Sequence, residues 1–274
     1  LLDERALASA TTNADYVVHI AGVTKAKNTR EYRVANVDTT RAILSASQKS
    51  GKLKKFCLIS SLTASGPSPD GIPRREEAHN APITAYGRSK LEAEHVCNEF
   101  RGSLPTVILR PPAVYGPRDR DVFEMFKWIN RGVAPIMGPR KKTLSLIHSA
   151  DLARGIVDAT LSDKTIGKTY FIANENPYAY TDLVSLAAEI LGRKVTFLPI
   201  PIPIIYAAAT IVQLASWFTS QTPVLNLDKV RDLITPHWIC DIERLRSDIG
   251  FVEQISIAEG FRSTIRWYQD HRWL

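Results

Sequence analysis

Tyr86-Gly87-Arg88-Ser89-Lys90 sets a phenol and an ammonium four positions apart. On a helix that spacing puts both on one face, one turn apart, so they can address one site. A nearby ammonium favours the phenolate and lowers the tyrosine pKa, which makes the phenol a usable proton donor or acceptor near neutrality. The pentapeptide alone does not settle its own role. Tyr86, Lys90, Ala93, Cys97 and Phe100 also share one stripe, as an ordinary amphipathic helix would place them. The flanks decide between the two. Upstream, Phe56-Cys57-Leu58-Ile59-Ser60-Ser61 is a short apolar strand ending in two hydroxyls. Downstream, Val107-Ile108-Leu109-Arg110-Pro111-Pro112-Ala113-Val114-Tyr115-Gly116-Pro117 is a second strand running into a Pro/Gly-rich turn. Strand, helix, strand is a βαβ unit, and ligands of such sheets sit at the carboxyl ends of the strands. Ser61 lies at one of those ends and Tyr86 near the start of the intervening helix.

This set resembles the extended short-chain dehydrogenase/reductase family of NAD-dependent epimerase/dehydratase type, in which a Ser or Thr, a Tyr and a Lys form the catalytic group. The Ser61-to-Tyr86 separation, Gly66 after a small-residue turn, and Tyr-Gly-Arg-Ser-Lys all fit that pattern. The resemblance implies an α/β fold with a Rossmann-like doubly wound parallel sheet, NAD or NADP as cofactor, and hydride transfer at a carbon bearing a hydroxyl or keto group. It makes Ser61, Tyr86 and Lys90 the expected catalytic residues. Tyr86 exchanges a proton with the substrate oxygen, Lys90 lowers its pKa and holds the nicotinamide ribose, and Ser61 orients the same oxygen. Ile20, Ala21, Gly22, Ser60, Tyr86, Lys90, Pro112 and Val114 are the positions it sets against the cofactor, with the Pro112–Val114 backbone near the carboxamide. Arg110 is expected as a structural cation beneath the site.

Asp15-Tyr16-Val17-Val18-His19-Ile20-Ala21-Gly22 resembles the family's fourth-strand signature, whose small residues let the backbone approach the adenosine half. His19 is expected to be structural, while the loop from Val23 to Thr29, with Lys25 and Lys27, could face cofactor or substrate. Arg30 to Ser50 reads as a helix. Within it Asn36-Val37-Asp38-Thr39-Thr40 resembles the family's Asn-Val-x-Gly-Thr, with Thr39 replacing the usual glycine. Asn36 either supports the catalytic group from behind or simply bonds backbone. Upstream, Asp3 to Thr11 looks like a helix entering the strand Tyr16–Ile20. No Gly-x-x-Gly-x-x-Gly turn occurs in the 274 residues, so no segment matches the pyrophosphate-binding strand–turn–helix. The expectation is that this first βαβ portion lies upstream of Leu1, and that residues 1–274 alone bind a dinucleotide weakly or not at all. A non-catalytic remnant or protein-interaction unit is the competing class.

Composition bounds the rest. With 45% apolar residues a chain of this length can bury a substantial core. A net charge of +7 is spread out, with only short clusters such as Arg140-Lys141-Lys142 and no interleaved aromatics, so nucleic acid is not an expected partner. Three cysteines, Cys57, Cys97 and Cys240, are too few and too far apart for a disulfide framework or a zinc site, which suggests a reducing cytoplasm. A small-molecule substrate is the expected partner, and a homodimer stays open.

The division expected is residues 1–117 as the remainder of the dinucleotide-binding domain and 118–274 as a mainly substrate-binding, smaller mixed α/β portion interleaved with the sheet. Gly66 to Pro82, rich in Pro, Gly and charge, is long enough to be functional, and Arg74, Arg75, Glu76, Glu77 and His79 either border the site or are solvated. A helix from Thr84, a plausible N-cap, to Phe100 follows. Later come helices at Asp121–Arg131, Ser149–Leu161 and Thr181–Leu191, strands at Leu144–Ile147 and Thr169–Ala173, and two polar helices within Asp241–Leu274. Leu198-Pro199-Ile200-Pro201-Ile202-Pro203 reads as a proline ladder into an uncharged run from Ile204 to Phe218. That run is short of the about 20 residues of a membrane span, so it is expected as a buried helix or a lid over an apolar substrate, with peripheral membrane contact left open.

Nucleotide-sugar enzymes of this type usually carry an Arg ahead of an apolar pair ending in His or Tyr. Here Leu144 and Ser145 fill that slot before Ile147-His148, although Arg140, Lys141 and Lys142 are near enough to substitute. Leu109-Arg110-Pro111 through Tyr115-Gly116-Pro117-Arg118-Asp119 instead resembles the 3β-hydroxysteroid dehydrogenase and dihydroflavonol reductase branch. A hydrophobic alcohol or ketone is therefore the expected substrate, and a nucleotide sugar the alternative.

Overall fold

The computed structural model describes residues 2–216 and 227–274. Helix α1 (Glu4–Thr11), capped by the Asp3 carboxylate, leads into strand β1 (Tyr16–His19). One continuous helical stretch follows: α2 (Thr29–Tyr32), a wider π-type turn over Arg33–Asp38, and α3 (Thr39–Ser50). Then come β2 (Lys55–Ile59), the single turn α4 (Leu62–Ser65), α5 (Ala85–Glu99) and β3 (Thr106–Arg110). Beyond this βαβ unit lie β4 (Ala113–Tyr115), α6 (Asp121–Asn130), β5 (Val133–Met137), β6 (Thr143–Leu144), β7 (Leu146–His148), α7 (Ser149–Leu161) and β8 (Lys168–Phe171). The remainder comprises β9 (Tyr178–Ala179), α8 (Tyr180–Leu191), β10 (Thr196–Ile200), α9 (Ile202–Ser216), α10 (Leu227–Ile234), β11 (His237–Trp238), α11 (Glu243–Ile249) and α12 (Ile257–Asp270).

The central sheet runs β1-β2-β3-β8, all parallel, with Val18 opposite Cys57, Leu58 opposite Ile108 and Leu109 opposite Tyr170. Helices cover both of its faces, which is why β2 and β3 are unbroken apolar runs rather than alternating ones. Alternate side chains go to opposite cores. Phe56, Leu58 and Ile108 pack with Leu44 of α3 and Ala93, Val96 and Cys97 of α5. Cys57, Ile59, Val107 and Leu109 pack with Ile156 and Ala159 of α7 and Leu245 of α11. Each fully buried Leu, Ile or Phe contributes about 1.5–3 kcal/mol relative to exposure, so these two layers hold the strand ends in place. A third core joins α6, α8 and α12 through Phe126, Leu183, Val184, Phe261, Ile265 and Tyr268.

Thr84 caps α5 as expected, its hydroxyl accepting from Gly87 N at 3.0 Å. Three expectations need correction. The proline ladder contains a strand: β10 pairs in parallel with β5, Pro199 beside Ile136 and Leu198 beside Pro135. A two-stranded ribbon has only edge strands, the one setting in which a proline costs no ladder bond. The strand expected at Leu144–Ile147 changes sheets at Ser145, β6 joining β11 and β9 while β7 joins β4. The uncharged run forms α9, but it is not buried, since Ile204 is 58% and Ile211 67% exposed. The part of that run at Trp217 and Phe218 lies outside the described residues. Among the described residues no helix is long and apolar enough to cross a membrane.

None of the charged side chains of residues 66–82 is on the wall of the cavity at the strand ends. Arg74 donates to Ser65 Oγ at 2.8 Å and to Pro67 O, Glu76 accepts from Phe171 N, and Arg75 and Glu77 pair with Asp241 and Arg244. The loop stitches the C-terminal segment to the sheet. All three cysteines are buried and unpaired, Cys57 and Cys97 in the two cores where the sequence put them.

Candidate functional site

A cavity of about 720 Å³ opens at the carboxyl ends of β1, β2 and β3. Ser61, Tyr86 and Lys90 all line it, and so do Ile20, Gly22, Ser60, Pro112 and Val114. Of the expected residues only Ala21, exposed on the strand-end turn, is not on its wall. Three local devices bring the central group together. Ser61 is the N-cap of α4, accepting from Thr63 N at 3.2 Å and Thr63 Oγ1 at 2.9 Å, so its hydroxyl is fixed where β2 ends. Gly87 lets α5 press onto that turn, because a Cβ there would lie 2.4 Å from Thr63 O. The motif's glycine is thus a packing requirement that sets Tyr86 beside Ser61, on the same cavity wall. Lys90, one turn on, is buried and donates to Ile59 O at 2.6 Å.

Electrostatics depart from the simple expectation. Burial pushes the Tyr86 phenol up to about 12, against a smaller downward pull from Ser61. Burial also brings Lys90 down to about 8, with Glu94 opposing. For both groups desolvation is the largest cause of the shift. Beneath them Arg110 grips Glu94 with two bonds, at 2.9 and 2.6 Å, both side chains under 5% exposed. Ser60 Oγ donates to the same carboxylate, and the guanidinium lies over the Phe171 ring. Arg110 is a cation locked below the site, as expected.

Asn36 takes both roles the sequence allowed. Its Oδ1 accepts from Val23 N at 2.8 Å, and its Nδ2 donates to Val23 O and to Ser89 Oγ at 2.9 Å. Ser89 in turn donates to Tyr86 O, so the amide ties the β1 turn to the helix carrying Tyr86. The π-type turn makes this reach possible, and Thr39 closes it with N–H and hydroxyl both donating to Val34 O. The residue standing where the family has glycine therefore has a use for its side chain. His19 is buried, bonded to Thr40 Oγ1 at 3.0 Å, and held neutral by burial with a pKa lowered to about 4. It is structural.

The opposite wall was not anticipated. Residues Asp228, Lys229, Asp232 and Leu233 of α10 line the cavity, whereas among the described residues α9 contributes no side chain to it. Asp228 Oδ2 accepts from Ala85 N at 2.6 Å, which clamps α10 onto the first turn of α5, next to Tyr86. Asp232 pairs with Lys229 at 2.9 Å and raises the Tyr86 pKa slightly further. The apolar spacing of Leu227, Val230 and Ile234 within Leu-Asp-Lys-Val-Arg-Asp-Leu-Ile was the available signal for this helix. Leu144 lines the cavity, while Ser145 is fixed by Cys240 N on its hydroxyl. Of the three basic neighbours Lys142 alone reaches the cavity, and its ammonium donates to Leu233 O.

These residues fit the nicotinamide half of a dinucleotide. Strand-end residues Ile20 and Gly22, and Pro111 to Val114, flank Ser60, Tyr86 and Lys90 on one wall, and a side chain at Gly22 would strike Asn36 Oδ1 at 2.7 Å.

A family model described as NAD dependent epimerase/dehydratase family matches residues 1–173. The ceramide reductase of Caulobacter vibrioides is 28% identical over 273 residues, covering 98% of this chain and 79% of that protein. A 2-alkyl-3-oxoalkanoate reductase of Stenotrophomonas maltophilia is 28% identical, covering 96% of this chain and 83% of that protein. Among solved structures, the UDP-glucuronic acid 4-epimerase of Bacillus cereus, in complex with UDP-glucuronic acid and NAD, superposes with a TM-score of 0.77 at 22% identity, covering 97% of this chain and 78% of that one. At that identity the superposition speaks for the fold alone.

Proposed function

The chain belongs to the NAD dependent epimerase/dehydratase family, and from that premise we propose that it transfers hydride at a secondary alcohol or ketone carbon of a hydrophobic small molecule. The observation that carries this reading is the meeting of Ser61, Tyr86 and Lys90 on one wall of a cavity whose substrate side presents Leu144, Leu146, Leu183, Met125 and Phe261. A dinucleotide bound at the strand ends supplies the hydride acceptor or donor. Ser61 donates a hydrogen bond to the substrate oxygen and holds it near Tyr86. With its pKa raised to about 12, the Tyr86 phenol rests protonated at neutral pH, the state needed to protonate a carbonyl oxygen as it is reduced. Lys90, charged below about pH 8, offsets the phenolate that this transfer leaves behind. Arg110, Glu94 and Ser60 keep the floor of the site from moving during the transfer.

Apolar substrates are supported by Leu144 and Ser145 in the slot where a phosphate-binding arginine would stand, and by the reductases of ceramide and 2-alkyl-3-oxoalkanoate among the relatives. Lys142 favours the second reading, a nucleotide-sugar epimerase or dehydratase, since it sets one cation on the cavity wall. A panel of long-chain and polycyclic ketones and alcohols against UDP- and dTDP-sugars, each with NAD(H) and NADP(H), separates the two. With a form of the protein that binds the dinucleotide, turnover is expected on the apolar set, and turnover of the sugar nucleotides alone would overturn the reading.

A further inference from the structure

A second surface stands apart from the cavity. Helix α9 has no charged residue from Ile202 to Ser216. Its inward side packs through Ile205 and Ala209 on Val230 of α10, with Met137 and Ile200 beside them. Its outward side exposes Ile204, Ala208 and Ile211, spaced by four and three residues on one face, with Val212 and Leu214 adjacent and Ile202 and Leu198 extending the patch onto β10. An exposed helix face of an ordinary globular domain carries charges, whereas this one is apolar on both sides. Parallel pairing of β5 and β10 fixes what rims it. The register ends with Ile200 opposite Met137, so the chain leaves one strand into Pro201 and α9 and leaves the other, at the same end, into Pro139-Arg140-Lys141. Arg140 and Lys141 are exposed and have no ion-pair partner among the described residues.

We propose that α9 and its basic rim form an interfacial docking surface for an anionic lipid membrane. The described part of the helix is about 22 Å long at 1.5 Å per residue, sufficient to lie in the headgroup region with Ile204, Ile211 and Leu214 inserted. Charge complementarity selects the occupant. Arg140 and Lys141, on a chain of net charge +7, are attracted to acidic headgroups, while a second copy brings the same net charge to the interface. Docked this way, the bilayer sits one helix away from the cavity, because α10 separates α9 from it. The proposal does not depend on the hydride-transfer reading, and its test uses no substrate.

Co-sedimentation of the chain is measured with vesicles of phosphatidylcholine alone and with about 30% phosphatidylglycerol, alongside light scattering for the oligomeric state. Binding is expected to the anionic vesicles at low salt and to weaken strongly at about 1 M salt. Ile204→Glu with Ile211→Glu is expected to lower the bound fraction about tenfold or more, and Arg140→Glu or Lys141→Glu about fivefold each. The rim variants lie outside α9, so they remain informative where the double variant fails to fold. A chain that stays in the supernatant with anionic vesicles, or rim and helix variants that sediment like the parent, overturns the proposal. A dimer that Ile211→Glu splits into monomers, without vesicle binding by the parent, overturns it in favour of self-association.

Discussion

The two walls of the cavity are built to different rules. On the sheet side several polar groups are held by hydrogen bonds within the wall: Ser61 caps α4, Lys90 meets Ile59 O, and Arg110, Glu94 and Ser60 interlock in full burial. On the α10 side the polar groups are Lys229–Asp232 and Arg231–Asp228 pairs, all between 24% and 54% exposed, on a short helix backed by a small apolar cluster. Fixed geometry lowers the cost of reorganising around a developing charge, whereas a partly solvated wall can adapt to the shape of what it binds. Under the proposed function, the contrast puts chemistry on the first wall and recognition on the second.

The largest expected effect tests the sheet wall. Tyr86→Phe removes one oxygen and should cut turnover about 10²–10⁴-fold, roughly 3–5.5 kcal/mol of barrier, with cofactor affinity and melting temperature nearly unchanged. A variant retaining more than about a third of the parent rate would return Tyr86 to a packing role. Lys90 adds a pH signature. Since burial lowers its pKa to about 8, the ammonium is lost as pH rises through that value, and turnover should decline there. Lys90→Met should show a lower rate and weaker cofactor binding with no such decline, while an unchanged profile in the parent would remove Lys90 from the reaction.

Next in size is the floor. Arg110→Met leaves Glu94 buried without its partner, which typically costs 3–5 kcal/mol of stability. Chemical denaturation measures this, and a loss under 1 kcal/mol would mean that the wall is less rigid than its hydrogen bonds suggest. His19 gives a smaller, pH-dependent effect. Its folded pKa of about 4 lies below the ordinary 6.5, so the unfolded chain binds the extra proton first. Stability is fully present above pH 6.5 and is lost as pH falls through about 4, by roughly 3 kcal/mol at most, and His19→Gln should flatten that slope in pH-dependent melts.

The smallest effect belongs to the α10 wall. Asp228→Ala removes the carboxylate that accepts from Ala85 N, a capping loss of about 1 kcal/mol. If α10 serves recognition, KM should rise several-fold with kcat held within about twofold. A fall in kcat at constant KM would break the division between the walls.

Legibility in the sequence follows the same line. The sheet wall could be read because its residues are close in sequence and locally constrained. Apolar runs at Phe56–Ile59 and Val107–Leu109 mark doubly buried strands, and Tyr86-Gly87-Arg88-Ser89-Lys90 keeps its whole group on one helix. Yet sequence order did not show that burial would push the Tyr86 phenol up, since desolvation depends on everything packed around it. The second wall depends on pairing across long separations. Pro199 is compatible with a strand only because β5 lies beside β10, and Ser145 divides a strand only because Trp238 and Cys240 come to meet it. Helix α10 carries a readable pattern in eight residues, but which cavity it faces is decided by Asp228 reaching Ala85, 143 positions away.

The widened turn at Arg33–Asp38 also has a meaning for how this protein can change. An α-helix advances by 100° per residue, so trimming one residue from the turn would restore a regular helix and swing Asn36 by about that angle. Its amide would then release Val23 and Ser89 together, uncoupling the β1 turn from the tyrosine helix while leaving both intact. Insertions and deletions are usually absorbed by loops. Here a single-residue deletion would fall inside a long helix that still forms, a lesion of phase rather than of folding.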